Sequence, residues 1–137
     1  MLERDYIMRL VREFFEALEL LKRKDLKECR DELERMYGQY VGPYAFYRTA
    51  SVDDIMDSMQ RYSPAERLPR LEMLAELYYT ETALVSAPER VLLLEKAFSL
   101  FNFVDSHDRT YDMARLSKMA EIRKRIDSAG KAAGTTP

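Results

Sequence analysis

The chain has 137 residues, 47% of them hydrophobic and 34% charged, with a formal net charge of −2. That length supports one domain able to bury about two thirds of its unfolded surface without a metal or a disulfide. The balance, with four glycines and five prolines, excludes a disordered chain and a sandwich of short strands, and the small charge does not by itself select a nucleic acid or a membrane as partner.

The composition points to an all-α domain over residues 1–129 with a flexible polar tail over 130–137. Cys29 is the sole cysteine, so neither an intrachain disulfide nor a thiolate zinc cluster is available. The opening Met-Leu-Glu-Arg-Asp-Tyr goes straight into a charged amphipathic pattern without a basic-then-apolar leader. No apolar run reaches the length of a membrane span, about 18 residues. These features together predict a cytoplasmic protein.

In chain order, Ile7, Leu10, Val11, Phe14, Leu18 and Leu21 recur at three- and four-residue steps and predict a first helix over 3–22. Asp25 is placed to cap a second helix, whose apolar stripe is Leu26, Cys29, Leu33, Met36 and Tyr40. Cys29 reads there as a small buried residue. Gly38 and Gly42-Pro43 predict the end of that helix, and Tyr44 to Tyr47 a short helical turn.

Three Ser-x-x-acid patterns then resemble capping boxes: Ser51 with Asp54, Ser63 with Glu66, and Ser86 with Glu89. The first opens a short helix to Arg61. The second precedes Pro69, which either follows a separate turn or kinks the helix. Apolar positions 71, 74, 75, 78, 82 and 85 predict a helix over 69–85, and the third pattern starts another over 88–104.

The stretch Val91 to Val104 interrupts its apolar residues only with Glu95, Lys96, Ser99 and Asn102. It predicts a rod enclosed on several sides, around which the rest is wrapped. A loop over 105–108 leads to a last helix over 110–127 with Met113, Leu116, Met119, Ala120 and Ile126 inward. The expected architecture is five to six helices in antiparallel hairpins, packed as a bundle or short array.

Ala97-x3-Phe101-x2-Val104 is similar to the second-helix pattern of the tetratricopeptide repeat, and Leu74-Ala75 with Tyr78 resembles the first. The helices here are longer than those of the repeat. The opening Asp5-Tyr6-Ile7-Met8-Arg9 resembles the start of an uncharacterised bacterial family of tetratricopeptide-like helical proteins. That resemblance implies a helical scaffold of unknown function and brings no catalytic positions.

Chemistry is sparse. His107 is the only histidine, which excludes a two-histidine zinc helix and a di-iron Glu-x-x-His pair, and its setting among Asp105 and Asp108 reads as an exposed loop. Asp53, Asp54, Asp57, Glu13 and Glu16 read as carboxylates on solvated faces rather than metal ligands. No glycine-rich phosphate loop occurs, and no cofactor is expected.

Two segments stand out. The connector from Tyr37 to Arg48 is rich in tyrosine, which offers rigid apolar area with a polar tip; Tyr40, Tyr44, Tyr47 and Arg48 are its candidate binding residues, unless the rings fill a junction between helices. From Arg109 to Lys131, seven basic residues face Asp112, Glu121 and Asp127, a local charge of +4 that leaves −6 elsewhere. Arg115, Lys118, Arg123, Lys124 and Arg125 form the candidate basic surface, and the absence of interleaved aromatics weighs against nucleic acid.

The function expected from these residues is a non-catalytic helical interaction or scaffold domain that self-associates or holds a protein partner. The alternatives are a small-ligand sensor or enzyme with a tyrosine-rich pocket over 37–48 completed by His107, and a nucleic-acid-associated factor using the basic terminal helix.

Overall fold

The computed structural model describes residues 2–134, with burial given for the side chains of 4–131. It is 83% helix, with no strand among the described residues. Seven α-helices follow one another along the described residues: α1 (Leu2–Leu21), α2 (Leu26–Tyr40), α3 (Tyr44–Tyr47), α4 (Val52–Ser58), α5 (Pro64–Glu81), α6 (Glu89–His107) and α7 (Met113–Gly134). Short 3₁₀ turns, Met59–Arg61 and Thr82–Leu84, close α4 and α5. The count exceeds the expected five to six because α3 is a separate one-turn helix.

Local signals place several ends. Asp25 accepts the Glu28 amide at 2.9 Å and Ser51 accepts that of Asp54 at 3.1 Å, so each satisfies an orphan donor at a helix start. Ser63 is the N-cap of α5, with Pro64 in its first turn as expected, but neither it nor Ser86 caps through its side chain. Ser63 gives its hydroxyl to Glu66 at 3.2 Å, and at Ser86 it is the carbonyl that accepts the Arg90 amide at 3.0 Å. Gly38 lies inside α2 and does not end it.

Pro69 stands within a single helix running from Pro64, with Arg70 beyond it anchored to Tyr40 O at 2.6 Å and Glu66 at 2.7 Å. The last helix begins at Met113 and continues to Gly134, well past Asp127; residues 135–137 of the expected tail lie outside the described residues.

The most enclosed element is α5, not the apolar stretch of α6. Along α5, Leu71 and every residue from Met73 to Tyr78 are buried, and Glu81 and Thr82 continue the series. In α6, Leu93, Leu94, Ala97, Leu100, Phe101 and Val104 are buried, but Leu92 is 58% exposed. Helix α5 packs against α1, α2 and α6, whereas α7 packs chiefly on α6.

Hydropathy favours α6 because α5 carries Arg70, Glu72, Glu76 and Glu81. Those charges are accommodated by polar partners, Glu66 of the same helix for Arg70 and otherwise groups brought from other helices, which residue-by-residue hydropathy does not register. Further inward expectations fail at Leu26 and Met113, 67% and 64% exposed, and at Ala120, also exposed, while Ile122 of α7 is fully buried. Cys29 is half-buried.

Leu74→Ala is expected to cost about 2–5 kcal/mol in urea unfolding, as truncation in a closed core does. Leu92→Ala is expected to change stability by less than about 0.5 kcal/mol. Equal effects would restore α6 to the central position.

Candidate functional site

The tyrosine connector is organised by a tight turn after α2. The amides of Val41 and Gly42 both reach Tyr37 O, at 2.9 and 2.7 Å. The Val41 carbonyl in turn accepts the Tyr62 hydroxyl at 2.5 Å and the Arg61 guanidinium. A Cβ at Gly42 would meet the Arg61 guanidinium and, at 2.7 Å, the ring of Tyr47, which is fully buried, so glycine serves the close approach here.

Tyr37, Tyr40 and Tyr47 are buried. The Tyr47 hydroxyl pairs with Ser58 Oγ at 2.8 Å, and its carbonyl accepts the Tyr78 hydroxyl at 2.5 Å. Tyr40 makes an edge contact with Phe14, their ring centroids 5.2 Å apart. Of the candidate binding residues, Tyr40 and Tyr47 therefore belong to the core, because three helices converge where the connector passes. Tyr44 is half-buried and Arg48 exposed, and these two line a cavity.

At that point the connector meets the end of α5. Tyr37 and Tyr44 donate their hydroxyls to the two carboxylate oxygens of Glu81 at 2.7 and 2.6 Å, and their rings contact edge to face at 4.9 Å. Burial and then the Glu81 charge push the Tyr37 phenol well above its ordinary range. Burial and the hydrogen bond to Glu81 do the same to Tyr44. Both phenols stay protonated and remain donors. Glu81 itself is 7% exposed.

Two adjoining cavities open beside this carboxylate. One, about 600 Å³, is walled by Ala50, Val52, Leu92 and Leu93 with Glu95 and Lys96 at its edge. The other, about 440 Å³, is lined by Arg30, Glu34, Tyr44 and Ser86. Arg48, Glu81 and Glu89 belong to both. Lys96 sits over the Tyr78 ring at 4.9 Å with its ammonium 3.5 Å from Arg48 O, and partial burial lowers its pKa. Apolar wall and charged floor together suit non-covalent recognition. Sequence reasoning found Tyr44 and Arg48 through composition. It passed over Glu81, Glu89 and Lys96, whose only sign was charge within apolar helices, and Leu92, one leucine among several in its stretch.

The pocket expected to combine the connector with His107 is not assembled. His107 ends α6, about 20 Å along the helix from Leu92 at 1.5 Å per residue. There it stacks on Phe103, centroids 4.0 Å apart, with Nδ1 2.8 Å from Phe103 O.

The basic surface is also rearranged. Arg115 is 2% exposed, with Glu72 at 2.9 Å, Asp105 and Asp108 at 3.2 Å and the Thr110 carbonyl at 3.3 Å. It is the hub of the α6–α7 joint rather than a surface cation, and aspartates at 105, 108 and 112 were its signal in sequence. Lys118 binds Glu76 at 2.5 Å. Burial raises the Glu76 pKa, and the Lys118 contact works against that. Arg123 and Arg125 lie over Phe98 and Tyr79 at 4.9 and 5.6 Å, and Lys124 lines a separate cavity.

Among the described residues, no helix is long and apolar enough to cross a membrane, and no three His, Cys, Asp or Glu side chains are grouped to hold a metal ion. Comparison of the chain with protein-family models, curated proteins and solved structures returns no match.

Gly42→Ala is expected to destabilise the protein by about 1–3 kcal/mol, as overpacking does. Gly38→Ala, inside α2 with nothing within 4 Å of its would-be Cβ, is expected to stabilise it by about 0.5–1 kcal/mol. Paired urea titrations read the opposite signs.

The Thr110 amide, then Arg115, holds the Asp108 carboxyl below its ordinary value of 3.8. Its contribution to stability is therefore present above that pH and lost as the pH falls below it, through the lower folded value. Asp108→Asn is expected to flatten the acid limb of a stability-against-pH curve; an unchanged limb would remove Asp108 as a contributor.

Proposed function

We propose that this chain is a non-catalytic helical recognition domain that holds a segment of a protein partner in the cleft between the α3–α4 connection and α6, over the end of α5. The observation that carries the reading is the paired cavity: an apolar half and a polar half joined at Arg48, Glu81 and Glu89, with Leu92 largely exposed on its wall. Covering one exposed leucine contributes about 1.5–3 kcal/mol, enough to anchor a peptide once polar groups orient it.

The short connection between α5 and α6 supports a tetratricopeptide-like scaffold of helical hairpins, in which a concave face presents the cleft. The lone Cys29 suits a cytoplasmic setting, since the fold needs no disulfide.

A random peptide array probed with the wild-type chain and with Leu92→Glu tests the proposal. A recurring subset of peptides is expected to bind the wild type, and the variant to lose them by about tenfold or more while keeping its circular dichroism and melting temperature. If the array shows no enrichment, or enrichment that survives Leu92→Glu, the cleft is not a recognition surface.

A further inference from the structure

Among the described residues, four charged side chains are buried: Arg70, Glu76, Glu81 and Arg115. Burying a charge is costly unless an opposite charge meets it. Arg70 touches Glu66 at 2.7 Å, Glu76 touches Lys118 at 2.5 Å, and Arg115 touches Glu72 at 2.9 Å. Glu81 differs: among the described residues no cationic side chain forms an ion pair with it. Its oxygens are held by the hydroxyls of Tyr37 and Tyr44. A carboxylate offers about four lone-pair sites, so about two are left unfilled, and Glu81 lines both cavities.

The cations of the cleft are otherwise engaged or exposed. Lys96 faces the Tyr78 ring and Arg48 O, Arg30 donates to Leu84 O at 2.8 Å, and Arg48 is exposed. Against these three stand Glu34, Glu81, Glu89 and Glu95, so the lining carries one uncompensated negative charge. A ligand carboxylate would meet Arg48 and Lys96 only in the presence of Glu81, Glu89 and Glu95. A single cation on an apolar stem completes both the charge and the wall.

We propose that Glu81, assisted by Glu89, receives the ammonium or guanidinium of a lysine or arginine side chain of the partner segment, whose methylene stem lies along Ala50, Val52, Leu92 and Leu93. This rests on the recognition-domain reading above and specifies its ligand. Lys96 competes for the same carboxylate.

The test is a nitrogen-15-detected NMR titration at pH 7 with acetyl-Leu-Lys-Leu-amide, its glutamate counterpart acetyl-Leu-Glu-Leu-amide, and pentylammonium chloride. The lysine peptide is expected to give saturable shifts at amides 48–52 and 92–96. Its affinity should fall about tenfold or more in Glu81→Gln, as loss of a charge-assisted contact does. Should that variant not fold, Glu89→Gln, at an exposed position, is expected to weaken binding about threefold, and Lys96→Met to tighten it about threefold by removing a competing charge.

Equal binding of the glutamate peptide, or affinities unmoved in both Glu89→Gln and Lys96→Met, would overturn the proposal. Pentylammonium binding as tightly as the peptide would overturn assignment to a partner side chain in favour of a free amine. Leu92-dependent peptides without a basic preference would defeat this inference and leave the recognition domain standing.

Discussion

An enclosed helix that carries charge must find a polar partner for each charge, and α5 draws most of them from other parts of the chain. Arg70 takes the carbonyl at the end of α2, Glu72 takes Arg115 of α7, Glu76 takes Lys118 of α7, and Glu81 takes hydroxyls from α2 and α3. Each contact offsets a desolvation cost that an apolar residue would not incur. Each also fixes where a neighbour sits. Apolar packing draws the helices together; these contacts select one arrangement among the many that packing alone would accept.

The same requirement explains what could be read from sequence and what could not. The stripe of α1 was legible because Ile7, Phe14, Leu18 and Leu21 all face inward at helical spacing. Asp25 and Ser51 were legible because their cap acceptors and the amides they serve are three residues apart. Ser63 had the same local pattern and does begin α5, but its side chain serves no amide, the Glu66 carboxylate taking its hydroxyl. The contacts that set the centre of the fold join residues 37 to 44 positions apart, and nothing in a single chain marks Tyr37 as the partner of Glu81 or Glu76 as that of Lys118. Hydropathy therefore pointed to α6, one helix away from the most enclosed one.

Tyrosine usage in the connector follows from its place in the fold. A junction of helices needs large rings to fill it, but backbone and carboxylate groups end there and need donors. Tyr78 fills the space and satisfies the Tyr47 carbonyl, Tyr47 fills it and pairs with the Ser58 hydroxyl, and Tyr37 and Tyr44 fill it and hold a carboxylate. Phenylalanine would supply only half of this. The composition that suggested a binding surface is thus mainly a core device, with Tyr44 and Arg48 left facing the cleft.

The two ties from α7 to α5 have a geometric consequence. Arg115 and Lys118 meet Glu72 and Glu76 in the same order along both helices, so α5 and α7 run in one direction and form a ladder of two rungs. Sliding α7 by one turn toward the end of α5 would bring Arg115 to Glu76 and leave Lys118 opposite Thr80. Sliding it the other way would set the guanidinium against Leu68 and withdraw it from the aspartates of the joint. Either displaced ladder strands a cation in a poorly hydrated space, so the terminal helix is keyed to a single axial setting.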